Sequence, residues 1–247
     1  MSELGRIDIL GVGFDSIDMD GAVSRALDIV RKHSGGWAVT PNPEIVLECR
    51  KNERLSAAVQ EAALVIPDGI GVLYAARILG TPLREKIPGI DFACTLMEAL
   101  AKSDGSVYLF GAKPGVAELA ASELQRRFNG LRICGTHDGY FTDDEPIIKD
   151  IREKRPDLVL VCLGAPKQEL WMRDHASELD AGLLIGLGGS LDVFAGTVQR
   201  APERWRSLGL EWLYRLYREP KRIGRMIRLP LILLLALKER VFGKQPA

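Results

Sequence analysis

The sequence predicts an α/β fold: a mainly parallel, Rossmann-like sheet with helices on both faces, followed by a basic helical appendage at the C-terminal end. Three observations carry this expectation. Short Val-, Ile- and Leu-rich runs alternate with segments of helical periodicity across residues 7–187, as in strands buried on both faces and joined by helical crossovers. Several of those runs end on polar or glycine-rich turns, where ligands of open α/β sheets bind. Charge is also unevenly divided. Residues 1–199 hold 21 Lys and Arg against 29 Asp and Glu, and residues 200–247 hold 12 against 4, so a formally neutral chain has an acidic body and a basic end.

Taken in order, the first apolar run, 7–12, leads to a helical pattern at 22–30 that stops at Ser34-Gly35-Gly36. A strand at 37–40 precedes a helix at 44–58, and a strand at 64–66 precedes helices at 71–79 and 92–101. Strand 107–110 is followed by helix 115–128, which ends at Asn129-Gly130. Strands at 131–134, 158–163 and 183–187 then flank helices at 147–154 and 168–176. Composition shifts near Gly196, after which Arg and Trp dominate as far as Arg228. This places a catalytic α/β body at 1–197 and an appendage at 198–247, where Pro220 and Pro230 divide three helical pieces.

Nearly half the residues are apolar and about a quarter charged, which is ordinary globular composition and excludes disordered, fibrous and small disulfide-rich classes. Cys49, Cys94, Cys134 and Cys162 stand far apart in apolar surroundings and read as reduced core residues. Glu3, Asp8 and Asp15 interrupt any secretory signal, so the body is expected in the cytoplasm. The apolar run 229–237 is far short of the roughly 20 residues that span a bilayer. Beside the cationic Arg215, Arg218, Lys221, Arg222, Arg225 and Arg228, it is expected to lie on an anionic membrane surface. No nucleic-acid-binding motif accompanies the charge.

Candidate chemistry gathers after the strands. Asp68, in Pro67-Asp68-Gly69, should emerge at the sheet's ligand edge; by position alone it also reads as a cap of the helix beginning near Gly69. Thr40 and Asn42 are either sugar ligands or caps of the helix at Glu44. Lys167 and Gln168 open a helix whose amides favour phosphate, or they are a solvated helix start. Gly188-Gly189-Ser190 has the small residues of a phosphate loop, with Asp192 just beyond as a ribose or base ligand or a turn cap. Gly11-Val12-Gly13 suggests a dinucleotide site, but Ser16 replaces the third glycine. Asp18-Met19-Asp20 reads as an N-cap, and the three scattered histidines lack metal-site spacing, so neither a metal nor a cofactor is expected.

The ordered series Thr40-Pro41-Asn42-Pro43-Glu44, Pro67-Asp68-Gly69-Ile70-Gly71, Pro88-Gly89-Ile90-Asp91, Gly164-Ala165-Pro166-Lys167-Gln168-Glu169 and Gly188-Gly189-Ser190-Leu191-Asp192 resembles the WecG/TagA/CpsF glycosyltransferase family. So does the ending from Ala195-Gly196 through Arg200-Ala201-Pro202 and Leu210-Glu211-Trp212 to Glu219-Pro220. The departure is Ser190-Leu191, where the family often has Phe before the aspartate. The resemblance implies inverting transfer of N-acetylmannosamine, or a related hexose, from its UDP form to undecaprenyl-diphosphate-linked N-acetylglucosamine in teichoic acid-type polymer assembly. It implies Asp68 as general base, Thr40, Asn42 and Gln168 on the sugar, and Gly188, Gly189 and Asp192 on UDP. Gly69 and Lys167 belong to the same substrate-binding set. Arg215, Arg222 and Arg225 are the candidates to neutralise the leaving diphosphate, the appendage acting as both anchor and lid. A homo-oligomer is compatible with the apolar end. The rival readings are an NAD-dependent oxidoreductase using Gly11 and Gly13, and a non-catalytic peripheral membrane module that binds a nucleotide sugar.

Overall fold

The computed structural model describes residues 5–218 and 228–243. Its centre is a six-stranded, wholly parallel sheet of β3 (Gly36–Val39), β4 (Leu64–Val65), β5 (Ser106–Gly111), β6 (Arg132–His137), β7 (Leu158–Cys162) and β8 (Leu183–Gly186), in the spatial order β4-β3-β8-β7-β5-β6. The expected α/β class is therefore borne out. Successive side chains of a strand point to opposite faces, and the core divides accordingly. Val39, Val65, Tyr108, Phe110, Val159, Val161 and Leu184 face one layer, and Ala38, Leu64, Val107, Leu109, Leu158, Leu160 and Ile185 the other.

The second layer is covered by α1 (Met19–Lys32), α5 (Gly89–Ala101), α6 (Val116–Arg127) and α9 (Ser190–Phe194). The first is covered by α2 (Pro43–Cys49), α3 (Glu53–Gln60), α4 (Ile70–Leu79), α7 (Glu145–Lys154) and α8 (Lys167–His175). After the body come α10 (Glu203–Ser207), α11 (Glu211–Arg218) and α12 (Arg228–Phe242). Gly209, at φ +71°, separates α10 from α11. Pro220 lies outside the described residues. Pro230 does not break a helix: it sits in the first turn of α12, where the missing N–H would have no helical partner.

Two elements differ from expectation. The 7–12 run is not one sheet strand but part of an antiparallel hairpin, β1 (Arg6–Ile9) and β2 (Val12–Asp15), whose turn places Leu10 and Gly11 at positive φ. Asp8 accepts the Gly11 N–H at 3.3 Å there. The hairpin blunts the sheet edge, because buried Asp15 accepts the Val65 N–H at 2.7 Å while paired with Arg25 at 2.8 Å. The single helix expected at 44–58 is two, since Asn52 accepts the Leu55 N–H at 3.1 Å and starts α3 afresh.

The basic end is also more closely joined to the body than charge suggested. α12 packs across α4 and α2, with Ile232 and Ala236 fully buried in the first layer. On its other side Leu234, Leu237, Val241 and Phe242 are exposed. No described helix is long and apolar enough to cross a membrane.

Candidate active site

β4, β3, β8 and β7 are consecutive neighbours, so the turns that follow them emerge side by side at one end of the sheet. Those turns carry Asp68, Thr40 with Asn42, Gly188 with Gly189, and Gly164. Asp68 is half-buried. Its Oδ2 accepts the Gly89 N–H at 3.3 Å, and its own N–H donates to the Pro41 carbonyl at 3.3 Å. It does not cap α4, whose N-cap is Gly69 without a side-chain bond; its carboxylate is held instead by the first residue of α5. Gly69 has φ +95°, and a Cβ there would lie 3.3 Å from Pro43, so the turn that delivers Asp68 needs glycine.

Thr40 flanks the same helix start. Its Oγ1 donates to the Gly186 carbonyl at 3.5 Å, and its side chain comes within 3.0 Å of the place a Cβ on Gly89 would occupy. Asn42 is the N-cap of α2, accepting from the Glu44 and Ile45 amides at 2.9 and 3.1 Å. Gly188 has φ +54° and would meet nothing within 4 Å if given a Cβ. A Cβ on Gly189 would meet only the Asp192 carboxylate, at 3.9 Å, so that loop has an acid beside it and open space around it.

Gln168 and Lys167 behave differently from each other. Gln168 is 4 % exposed. Its Oε1 accepts the Gly164 N–H at 3.1 Å and the Gly188 N–H at 2.8 Å, while its Nε2 donates to Glu169 Oε1 at 2.8 Å. The amide oxygen therefore ties the loop after β7 to the loop after β8, and the nitrogen gives one of its two N–H groups to Glu169. Lys167 is exposed and turns away from that loop. Its Nζ reaches the Gly139 carbonyl at 3.4 Å and stands 4.0 Å above the Phe141 ring, beyond β6 at the opposite edge from β4.

Arg215 is on α11, one turn after Glu211, and Arg222 and Arg225 lie outside the described residues. Among the described residues no group of three His, Cys, Asp or Glu side chains could hold a metal ion. Asp18 caps α1 by accepting the Gly21 N–H at 2.9 Å, as its position suggested. Gly11 and Gly13 belong to the hairpin rather than to a strand-to-helix turn of the parallel sheet, which removes the dinucleotide site on which the oxidoreductase reading depended.

The family model described as glycosyl transferase WecG/TagA/CpsF matches residues 7–246. The chain belongs to that family. It is 35 % identical over 215 residues to an N-acetylglucosaminyldiphosphoundecaprenol N-acetyl-beta-D-mannosaminyltransferase of Bacillus spizizenii, covering 87 % of this chain and 84 % of that protein. A protein of the same name from Staphylococcus aureus strain MW2 is 34 % identical over 234 residues, covering 94 % and 92 %.

This WecG/TagA/CpsF glycosyltransferase also holds features that its sequence did not disclose. A cleft of about 700 Å³ opens between α5, α6, α9 and the segment leading to α10, with Asp91, Arg126, Arg127, Arg200 and Arg206 in its wall. It does not surround Asp68; the two are linked through the first turn of α5. Glu169 is 1 % exposed, and its Oε2 has no hydrogen-bond partner among the described residues. Burial holds its carboxyl above the usual range, against the hydrogen bond from Gln168. The four cysteines are free. Burial pushes the Cys49 and Cys162 thiols up to about 12, too high for ready thiolate chemistry.

Proposed function

We propose that this glycosyltransferase moves N-acetylmannosamine from a UDP-linked donor to an N-acetylglucosaminyl-diphospho-polyprenyl acceptor, inverting the anomeric centre, in assembly of a teichoic acid-type surface polymer. The observation that carries the reading is the convergence of Asp68, Thr40 and the open Gly188-Gly189 loop on neighbouring strand ends, in a chain whose similar relatives bear that activity in their names. Asp68 takes the proton of the acceptor hydroxyl as its oxygen bonds to the anomeric carbon, from the face opposite UDP. The bond from that carbon to the diphosphate oxygen breaks, and UDP leaves with the electron pair. Thr40 and Asn42 border the sugar, and the Gly188-Gly189 turn with Asp192 borders the nucleotide, the Gly188 N–H itself being held by Gln168. Gln168 serves them by holding the loop.

Negative charge gathers on the departing diphosphate, and guanidinium groups can meet it without a metal. Arg215, Arg222 and Arg225 are assigned that part. Residues 198–247 form the membrane-facing unit of the scheme, seating the enzyme peripherally on the cytoplasmic face of the plasma membrane. The exposed Leu234, Leu237 and Phe242 support that placement, as does the basic charge of this end. The deciding experiment is Asp68→Asn. Loss of a placed base is expected to slow transfer by about 10²- to 10⁴-fold with UDP binding retained. Turnover within a few-fold of the parent enzyme overturns the base assignment.

A further inference from the structure

Arg200 joins two helices, α5 and α11, from different parts of the chain. Its Nη2 donates to Asp91 Oδ2 at 2.7 Å and its Nη1 to Asp91 Oδ1, a two-pronged pair, while its Nε stands 3.6 Å from Glu211 Oε1. The Arg200 and Glu211 side chains are only 17 % and 16 % exposed, whereas Asp91 is 37 % exposed, so solvent screens the Asp91 side of the cluster more than the Glu211 side. Burial alone would raise the Asp91 carboxyl. The hydrogen bonds and charge of Arg200, with the charge of Arg206 behind them, outweigh it and hold the group below the usual carboxylate range.

The placement of the partners gives the cluster its meaning. Asp91 is in the first turn of α5, two residues after Gly89, whose N–H holds Asp68. Glu211 opens α11, one turn ahead of Arg215. Arg200 therefore connects the helix start that holds the proposed base to the helix that carries a proposed diphosphate ligand. The guanidinium gives two prongs to Asp91 and leaves its buried Nε in ionic contact with Glu211 without a hydrogen bond, a bidentate geometry that an ammonium cannot reproduce.

We propose that Arg200 is a positioning residue for the transfer: clamped between Asp91 and Glu211, it fixes where α11 sits relative to Asp68 while touching neither donor nor acceptor. This rests on the reading above that Asp68 and Arg215 serve the reaction. The clamp itself is an independent geometric claim.

The test uses the full-length enzyme with Arg200→Gln, Arg200→Lys, Asp91→Asn, Glu211→Gln and the Arg200→Gln/Asp91→Asn double variant. Three readouts are taken: the rate of transfer to a short-chain diphospholipid acceptor, the UDP dissociation constant, and hydrogen–deuterium exchange over residues 211–218. Arg200→Gln and Asp91→Asn should each lower kcat at least tenfold and speed exchange in α11, and any weakening of UDP binding should be the same for both variants within twofold. Arg200→Lys should recover only part of the rate. The double variant should be no worse than the weaker single one, because both remove one clamp. Glu211→Gln leaves the Asp91 pair intact and should still speed α11 exchange, so the proposal remains testable if the pair proves necessary for folding. Losses that multiply, unchanged α11 exchange, or UDP binding abolished by Arg200→Gln but not by Asp91→Asn would each overturn it. Near-normal turnover of Asp68→Asn would sink the base assignment instead, leaving the exchange and additivity results to judge the clamp.

Discussion

Gln168→Ala separates a side chain that grips sugar from one that braces the loops around it. The substitution strips the Gly164 and Gly188 amides of their acceptor and removes the donor to Glu169 Oε1. Orphaned buried donors cost about 1–3 kcal/mol each, and because both loop contacts are only partly buried the low end applies, giving about 2–3 kcal/mol in all. For a chain of this size each kcal/mol moves Tm by roughly 2–4 °C, so a fall of about 4–12 °C is expected. Donor binding should weaken with it. If the displaced Gly188 loop loses one hydrogen bond to a charged phosphate, worth about 1.5–3 kcal/mol, the UDP dissociation constant rises roughly tenfold to a hundredfold. Thermal unfolding and calorimetric UDP titration measure the two effects on the same preparation. A Tm within 1 °C of the parent protein, alongside a collapse in transfer, would refute the brace and return Gln168 to the sugar.

Two further outcomes follow from burial. Glu169 has its folded pKa raised, so the native state binds more protons than the unfolded chain, and its cost to stability grows as pH rises from the unfolded value, about 4.3, through the folded one. Glu169→Gln should thus raise Tm at pH 8 and not near pH 4; an equal shift at both would discredit the buried-carboxyl account. On α12, replacing the exposed Leu234, Leu237 and Phe242 with serine should release the protein from vesicles containing anionic lipid while leaving Tm within about 2 °C, since surface changes away from packed features cost little. Undiminished vesicle binding would count against α12 as the anchor. Deleting the whole helix is a poorer probe, because Ile232 and Ala236 are part of the core.

Much of this was visible in the sequence because strands covered on both faces must be apolar throughout. Leu158–Cys162 and Leu183–Gly186 read directly as such. The hairpin was hidden for the same reason. Ile7, Ile9, Leu10 and Val12 look like one continuous strand, and only the positive φ of Leu10 and Gly11 divides them. The α2–α3 break was hidden among Arg50, Lys51, Asn52 and Glu53, a polar stretch that resembles the outer face of a longer helix. Asp68 and Thr40 were legible as site candidates because strand ends mark them. Gln168 and Lys167 were not separable, since neighbouring residues at a helix start turn inward or outward according to loops far away in sequence. Arg200 and Asp91, 109 residues apart, meet only once the chain is folded. The run at 229–237 announced its greasiness but not its two sides.

A Cβ on Gly71 would collide with Leu229 and Pro43, so the front of α12, the front of α4 and the Pro-Asn-Pro turn interlock with no spare room. Force applied to α12 by a lipid surface would be transmitted straight into the turn that presents Asp68. The proposed anchor and the proposed base would then share one mechanical joint, three residues along the chain from the Asp68 carboxylate.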